Sequence, residues 1–214
     1  MYVKLWMVED PVTIGPEATL AEAVELFRQH GIRRLPVVSK DTLVGILGRR
    51  DLEGALPSSL EAKDEGEEVF VAEHTEVRAV MISPVISIGP NETLVDAVKK
   101  MRKNKIDGLP VVADGRLVGL VSITDILDAF LEIMETKGGG MRLDLRLGNQ
   151  PEALYEMIET MSDHDREIVA IFQHHGYSRD HQLVTVQVRG RDQQELIDGL
   201  WSAGIQVERV TAVL

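Results

Sequence analysis

The sequence predicts a mixed α/β (α+β) protein in which one strand-and-helix unit occurs twice and a separate βαββαβ domain follows. Three observations lead to this. The chain repeats itself: at an offset of 74 residues, which sets Gly15 on Gly89, residues 7–52 fall on 81–126, and 18 of the 46 paired positions are identical. About three matches would arise by chance at roughly one in sixteen, so duplication explains the pairing. Gly138-Gly139-Gly140 then breaks the texture as a flexible joint would. Beyond it, Leu143, Leu145 and Leu147 alternate with Asp144 and Arg146, the period-two pattern of a half-buried strand.

Each copy parses in the same order. An Ile-Gly-Pro turn (Ile14 to Pro16, Ile88 to Pro90) leads to Thr19-Leu20-Ala21-Glu22 or Thr93-Leu94-Val95-Asp96. Both read as capped helix starts, the first being the stronger because Glu stands at the third helical position. Leu20, Ala23, Val24 and Phe27, and likewise Leu94, Ala97, Val98 and Met101, form the stripe of a helix buried on one face. Leu35-Pro36-Val37-Val38 and Leu43-Val44-Gly45-Ile46-Leu47 flank a turn at Lys40-Asp41, and the second copy repeats this around Asp114-Gly115. That is a hairpin of two buried strands. A second helix starts near Asp51 and near Asp125, the latter running through Ile126, Leu127, Phe130, Leu131 and Met134. One such unit encloses little core at this size, so the copies are expected to pack face to face. The stretch 55–80, with Pro57, Ser58, Ser59 and the acidic run from Glu61 to Glu68, reads as a helical or partly ordered connector whose charge makes a solvated face.

After the joint, Asn149 with Pro151 just inside is expected to cap a helix whose stripe is Leu154, Met157, Ile158 and Met161. A strand over residues 168–172, a polar turn from His174 to His181, a strand carrying Val184, Val186 and Val188, a helix with Leu196, Ile197, Leu200 and Trp201, and a last strand from about Ile205 complete the domain. The order βαββαβ is that of the ferredoxin-like fold. The expected boundaries are therefore 1–54 and 81–137 for the repeats, 55–80 for the connector, 138–140 for the linker and 141–214 for the last domain.

Composition narrows the function. A net charge of -12 argues against general nucleic-acid binding, although small anions could bind at locally basic spots. No apolar run approaches the ~20 residues that span a bilayer, and Glu9, Asp10 and Pro11 interrupt the opening segment, so the expectation is a cytoplasmic protein with no membrane partner. The absence of cysteine removes thiolate chemistry. His164, His174, His175 and His181 form no HExxH, and adjacent strand residues face opposite ways, so a solvated turn rather than a metal site is expected. No Walker loop, GxSxG or dinucleotide fingerprint occurs, and the protein is not expected to be an enzyme.

Residues 7–130, with the Met-Pro start, the Thr-Leu helix opening, the Leu-Pro-Val-Val strand and a closing Gly, two apolar residues and Asp after three more, resemble a pair of CBS (cystathionine β-synthase) domains. The C-terminal segment resembles an ACT domain, and the combination is similar to the acetoin-utilisation protein B family. The resemblance implies two clefts that bind adenosyl small molecules, among them AMP, ADP or ATP, with an Asp at a helix start gripping the ribose. A carboxylate can accept from both vicinal hydroxyls, and a hydroxyl side chain near helix amides suits a phosphate. The second copy holds Ser122, Thr124 and Asp125, with Asp107, Gly108 and Pro110 at the matching strand start; the first holds Asp51, Arg49, Arg50, Arg33 and Arg34, with Gly48 in place of the hydroxyl. Two other readings stay open: the aspartates as complements of helix dipoles, and the arginines as surface charges paired with the connector. Asn149, Gln150 and Glu152 occupy the place of the ACT amino-acid-binding turn, where Glu152 replaces a Gly. No cofactor is required. The implied function is a regulatory sensor, expected as a homodimer with an unidentified metabolic enzyme as target. The competing function is a ligand-independent dimerisation or interaction protein.

Overall fold

The computed structural model describes residues 1–55, 65–134, 140–174, 178–190 and 194–213. The strands and helices through the second repeat are β1 (Val8–Glu9), α1 (Leu20–His30), β2 (Arg34–Ser39), β3 (Thr42–Gly48), α2 (Arg49–Ala55), α3 (Glu65–His74), α4 (Leu94–Asn104), β4 (Gly108–Ala113), β5 (Arg116–Ser122) and α5 (Ile123–Met134). Both expected caps close. Thr19 Oγ1 accepts from the Glu22 N–H at 3.2 Å, and Glu22 Oε2 accepts in return from the Thr19 N–H at 2.7 Å. Asp96, one methylene shorter, closes the same box on Thr93, so the second cap matches the first in form.

The hairpins superpose in register. Arg34 faces Gly48 and Val37 faces Gly45 before a bulge at Val37/Val38; Gly108 faces Ser122 and Val111 faces Gly119 before a bulge at Val111/Val112. Thr42 pairs with Arg116 and β1 pairs with β5, giving the order β1-β5-β3-β2 with β4 also on β5. The copies thus meet edge to edge in one sheet, a joint that the expectation of face-to-face packing did not include.

The two leaders cross over. Val3 is fully buried among Ile88, Leu94, Met101, Leu109, Val111 and Val121 of the second copy, whereas Val77 is fully buried among Leu20, Phe27, Leu35, Val37 and Leu47 of the first. The backbone bonds are reciprocal: Leu94 N–H donates to the Met1 carbonyl at 3.1 Å and Leu20 N–H to that of Thr75 at 2.9 Å. Gly119 and Gly45 admit the crossing, because a Cβ there would lie 2.6 Å from Met7 Sδ and 2.3 Å from Met81 Sδ. Each repeat core is completed by a segment that precedes the other repeat in sequence.

Met1–Ala129 and Phe130–Leu214 form separate compact units. The second contains β6 (Gly140–Gly148), α6 (Glu152–Asp163), β7 (Ile168–His174), β8 (His181–Val188), α7 (Gln194–Ser202) and β9 (Gln206–Val213). Its antiparallel order β7-β8-β6-β9 is the ferredoxin-like arrangement. Leu143, Leu145, Val184 and Val186 bury against Met157, Met161, Leu196 and Leu200, as the periodicities required. Three local expectations are corrected. Asn149 does not cap α6: Pro151 occupies the cap position, and Asn149 Nδ2 donates instead to the Arg179 carbonyl at 2.6 Å. His174 and His181 belong to strands, because His174 pairs with Leu183 in the β7–β8 ladder and His181 pairs with Gly148 in the β6–β8 ladder. His164 packs against α7, where a Cβ on Gly199 would meet its ring at 2.3 Å; His175 lies outside the described residues. No helix among the described residues is long and apolar enough to cross a membrane.

Candidate functional site

At the junction of β5 and α5, Ser122 and Asp125 lock together. Asp125 Oδ2 accepts from Ser122 N–H at 2.6 Å and from Ser122 Oγ at 2.7 Å, and Ser122 Oγ accepts from the Asp125 N–H at 3.4 Å. This reciprocal cap uses one carboxylate oxygen. Asp125 therefore serves the helix start, as the simpler reading held, yet Oδ1 takes no hydrogen bond from a described residue. Ser122 Oγ donates to Asp125 Oδ2 and so orients the carboxylate toward the cleft. In the first copy only half of the cap exists, with Gly48 N–H donating to Asp51 Oδ2 at 2.9 Å.

Asp125 opens onto a cavity of about 290 Å³ with Val8, Ile32 and Leu120 as apolar walls and Arg33, Arg34, Asp107, Ser122 and Thr124 as polar ones. The sequence placed Arg33 and Arg34 beside the first cleft; the structure brings them to Asp125, because the start of β2 lies next to the start of β4. Arg33 Nη2 donates to Thr124 Oγ1 at 2.7 Å, and Arg34 Nε donates to Asp107 Oδ1 at 2.8 Å. Partial burial pushes the Asp107 carboxyl up, but the Arg34 hydrogen bonds and the charges of Arg34 and Arg33 outweigh it and hold Asp107 below the usual carboxylate range.

Arg33, Arg34 and Asp107 also line a neighbouring cavity of about 320 Å³, completed by Arg49, Arg50 and Glu53. Four guanidinium groups thus face two carboxylates in a chain whose net charge is -12. Arg49 pairs with Glu53 at 3.1 Å, and Arg50 has no side-chain partner among the described residues. Arg34, Arg33 and Arg49 take side-chain partners from Asp107, Thr124 and Glu53, and the side chains of the acidic connector run Glu61 to Glu68 lie outside the described residues.

The equivalent cleft of the first copy is almost closed. At the 74-residue offset, Ile82, Ile106 and Ile46 take the places of Val8, Ile32 and Leu120, but the cavity they line with Pro84, Ile86, Gly108 and Arg34 measures about 60 Å³. Arg34 crosses it. A Cβ on Gly48 would lie 2.5 Å from Arg34 Nη1 and 2.8 Å from Asp51 Oδ2, and one on Gly108 would lie 3.8 Å from Arg34 Cγ.

Of the remaining candidates, Pro110 builds the sheet, facing Leu120 and accepting from the Ile88 N–H at 3.0 Å. Asn149, Gln150 and Glu152 are exposed, Asn149 tethered to Arg179 and Gln150 lying over Gly148. A larger cavity of about 550 Å³ beside α1 and α2 has Val24, Phe27 and Leu52 on its walls and Arg28, Arg49 and Glu53 at its edge; it lacks the aspartate and hydroxyl combination. Among the described residues no group of three or more His, Cys, Asp or Glu is placed to hold a metal ion. Sequence reasoning missed the apolar walls Val8, Ile32 and Leu120. The signal was there: each is apolar at the same position in both copies.

Comparison with known proteins finds relatives of the duplicated region. The family model for the CBS domain matches residues 3–58 and 77–132. Inosine-5'-monophosphate dehydrogenase of Korarchaeum cryptofilum is 38% identical over 122 residues, which is 56% of this chain and only 22% of that enzyme. Among solved structures, a Vibrio cholerae protein assigned to acetoin utilization (AcuB) aligns at 30% identity and a TM-score of 0.53, covering 63% of this chain and 93% of that one. The CBS domain pair of protein MJ0100, solved with 5'-methylthioadenosine and S-adenosyl-L-methionine, aligns at 28% identity and a TM-score of 0.52, covering 62% and 97%.

Proposed function

The chain belongs to the CBS-domain family, and we propose that it is a non-catalytic regulatory sensor that binds an adenine nucleotide, AMP, ADP or ATP, in the cleft at Asp125. The observation that carries this reading is the makeup of one cavity: apolar walls at Val8, Ile32 and Leu120, an uncommitted Asp125 oxygen, and Arg33 and Arg34 opposite. Adenine needs an apolar slot, vicinal ribose hydroxyls need an acceptor, and phosphate needs guanidinium donors. The adjoining arginine cavity favours a phosphorylated ligand over the uncharged or cationic adenosyl compounds held by MJ0100.

Such a ligand would join Asp125 of the second copy to arginines of the first, so binding would favour one arrangement of the copies by its difference in affinity for the two. We read the ferredoxin-like unit as an ACT-like domain that relays this change within a homodimer to a metabolic enzyme. Its place in acetoin utilisation rests on the likeness to the AcuB structure.

The test is thermal unfolding of nucleotide-stripped protein with AMP, ADP, ATP and S-adenosylmethionine, for wild type and Asp125→Ala. At about 100 times its dissociation constant a ligand adds about 2.7 kcal/mol of stability, and the expected result is a raised midpoint that the variant lacks. If no adenosyl compound shifts the wild-type midpoint, the sensor reading fails and the ligand-independent assembly protein takes its place.

A further inference from the structure

Three cavities run into one another between Asp125 and α1. Those of about 290 and 320 Å³ share Arg33, Arg34 and Asp107, and the latter shares Arg49 and Glu53 with the cavity of about 550 Å³ beside α1 and α2. Gly31 lines both the first and the third. Its counterpart at the 74-residue offset, Lys105, adopts the same left-handed turn, with φ 55° against 61°. The turn therefore accepts a side chain, and a Cβ on Gly31 would meet no atom within 4 Å. What glycine does at this position is leave the passage between the cavities open. The third cavity is chemically complete as well. Val24 and the buried Phe27 and Leu52 give it apolar walls, and at its edge Glu53 accepts from Arg49 Nε through Oε1, while Oε2 takes no hydrogen bond from a described residue. That repeats what Asp125 offers in the first cavity: a carboxylate oxygen left over beside an apolar slot.

From this we infer that the three cavities hold one ligand, an adenine dinucleotide. Its adenosine lies at Asp125, its pyrophosphate among Arg33, Arg34, Arg49 and Arg50, and its second nucleoside in the third cavity, with the ribose at Glu53 and the ring on Val24, Phe27 and Leu52. The inference rests on the reading of the Asp125 cleft as an adenine-nucleotide site and adds the other half of the molecule. Charge supports it. In the middle cavity four guanidinium groups against Asp107 and Glu53 leave a surplus of two positive charges, which a pyrophosphate esterified at both ends neutralises. A free terminal phosphate would instead sit, strongly hydrated, at the mouth of an apolar cavity, where losing water costs free energy. Coenzyme A also carries an arm on its diphosphate, but its 3'-phosphate would deny Asp125 one of the two vicinal hydroxyls and set a like charge against the carboxylate.

The experiment is calorimetric titration of nucleotide-stripped protein with ADP, NAD and coenzyme A. NAD should bind wild type about tenfold more tightly than ADP, the effect of laying one more ring on an apolar wall, and coenzyme A more weakly than either. Val24 lines the third cavity and neither of the other two. Val24→Trp should therefore fill it, bring NAD down to the affinity of ADP and leave ADP unchanged. Gly31→Lys, which copies Lys105, should likewise erase the preference for NAD, and it replaces Val24→Trp if that variant is poorly folded by circular dichroism. ADP binding without a preference for NAD, a preference that survives both variants, or coenzyme A binding as tightly as NAD overturns the dinucleotide and leaves the nucleotide site at Asp125 intact. Binding of NAD that Asp125→Ala does not weaken overturns the reading of the Asp125 cleft and with it the placement of the adenosine, and a wild type that binds neither ADP nor NAD overturns both.

Discussion

The two copies have one backbone and two different clefts. Hairpin register, bulge position and helix cap agree between them, while five paired positions beside the cavities differ in charge or size: Arg33 with Asp107, Arg34 with Gly108, Gly48 with Ser122, Arg49 with Ile123, and Arg50 with Thr124. Of these residues, Arg34 and Gly108 line the cavity of about 60 Å³, and Arg33, Arg34, Asp107, Ser122 and Thr124 line that of about 290 Å³. Framework residues are tied by burial on both sides of the duplication, whereas cleft residues are tied only by what the cleft holds. A duplicated fold can therefore keep its core and assign each half a different ligand.

The largest effect expected of this asymmetry is on the two aspartates. Asp125→Ala should abolish the ligand-induced stabilisation of about 2.7 kcal/mol at saturating nucleotide and cost a further ~1 kcal/mol through the lost cap. Asp51→Ala removes a single bond from Gly48 N–H, so about 1 kcal/mol of stability should go and the nucleotide shift should stay. Thermal melts of the two variants, with and without AMP, make the comparison, and a nucleotide shift lost in Asp51→Ala but kept in Asp125→Ala would reverse the assignment of the clefts.

Next in size is the transfer of the second copy's serine into the first. In Gly48→Ser the added Cβ meets Arg34 Nη1 at 2.5 Å, and displacing that flexible side chain from its pair with Asp107 should cost no more than about 1 kcal/mol. In an Arg34→Gly background the same change should be nearly neutral, since Gly108 and Ser122 already coexist across β4 and β5. A double-mutant cycle by urea unfolding measures the coupling. Additive costs would mean that the guanidinium does not fill the space over Gly48.

Much of this was legible in the sequence. The offset revealed the duplication, the three- and four-residue stripes located α1, α4 and α6, and period two located β6 and β8, because each pattern reports a local geometry. The crossover was hidden, since nothing local tells Val3 that its partners are Leu94 and Val121 rather than Leu20. The destination of Arg34 was hidden too: a long side chain reaches whatever the fold sets beside it, and its partner Asp107 lies 73 residues away. Asn149 misled for the opposite reason. Its type suits a cap, but a tertiary carbonyl, that of Arg179, competed for its amide and won.

A smaller effect separates phosphate from nucleoside. Arg50 lines the basic cavity with no side-chain partner among the described residues, so Arg50→Ala should weaken AMP binding about tenfold, the size of one charge-assisted contact, and leave adenosine affinity unchanged. Calorimetric titration with both ligands distinguishes this from a general loss of the cleft, in which both affinities would fall together.

The smallest expected effect concerns the pair of Asp107 with Arg34. Asp107 titrates below the usual carboxylate range when folded and near ~3.9 when unfolded. A depressed folded value means that its pair with Arg34 contributes stability above the unfolded value and loses it as pH falls through the folded one. Both partners are partly exposed, 23% for Arg34 and 52% for Asp107, so the contribution should stay under about 1 kcal/mol. Asp107→Asn should therefore be slightly less stable than wild type at pH 6, with the gap narrowing as pH drops below about 4. Urea midpoints across that range provide the measurement. A gap that stays constant as the pH is lowered through the whole carboxylate range would show that Asp107 holds Arg34 by geometry rather than by charge.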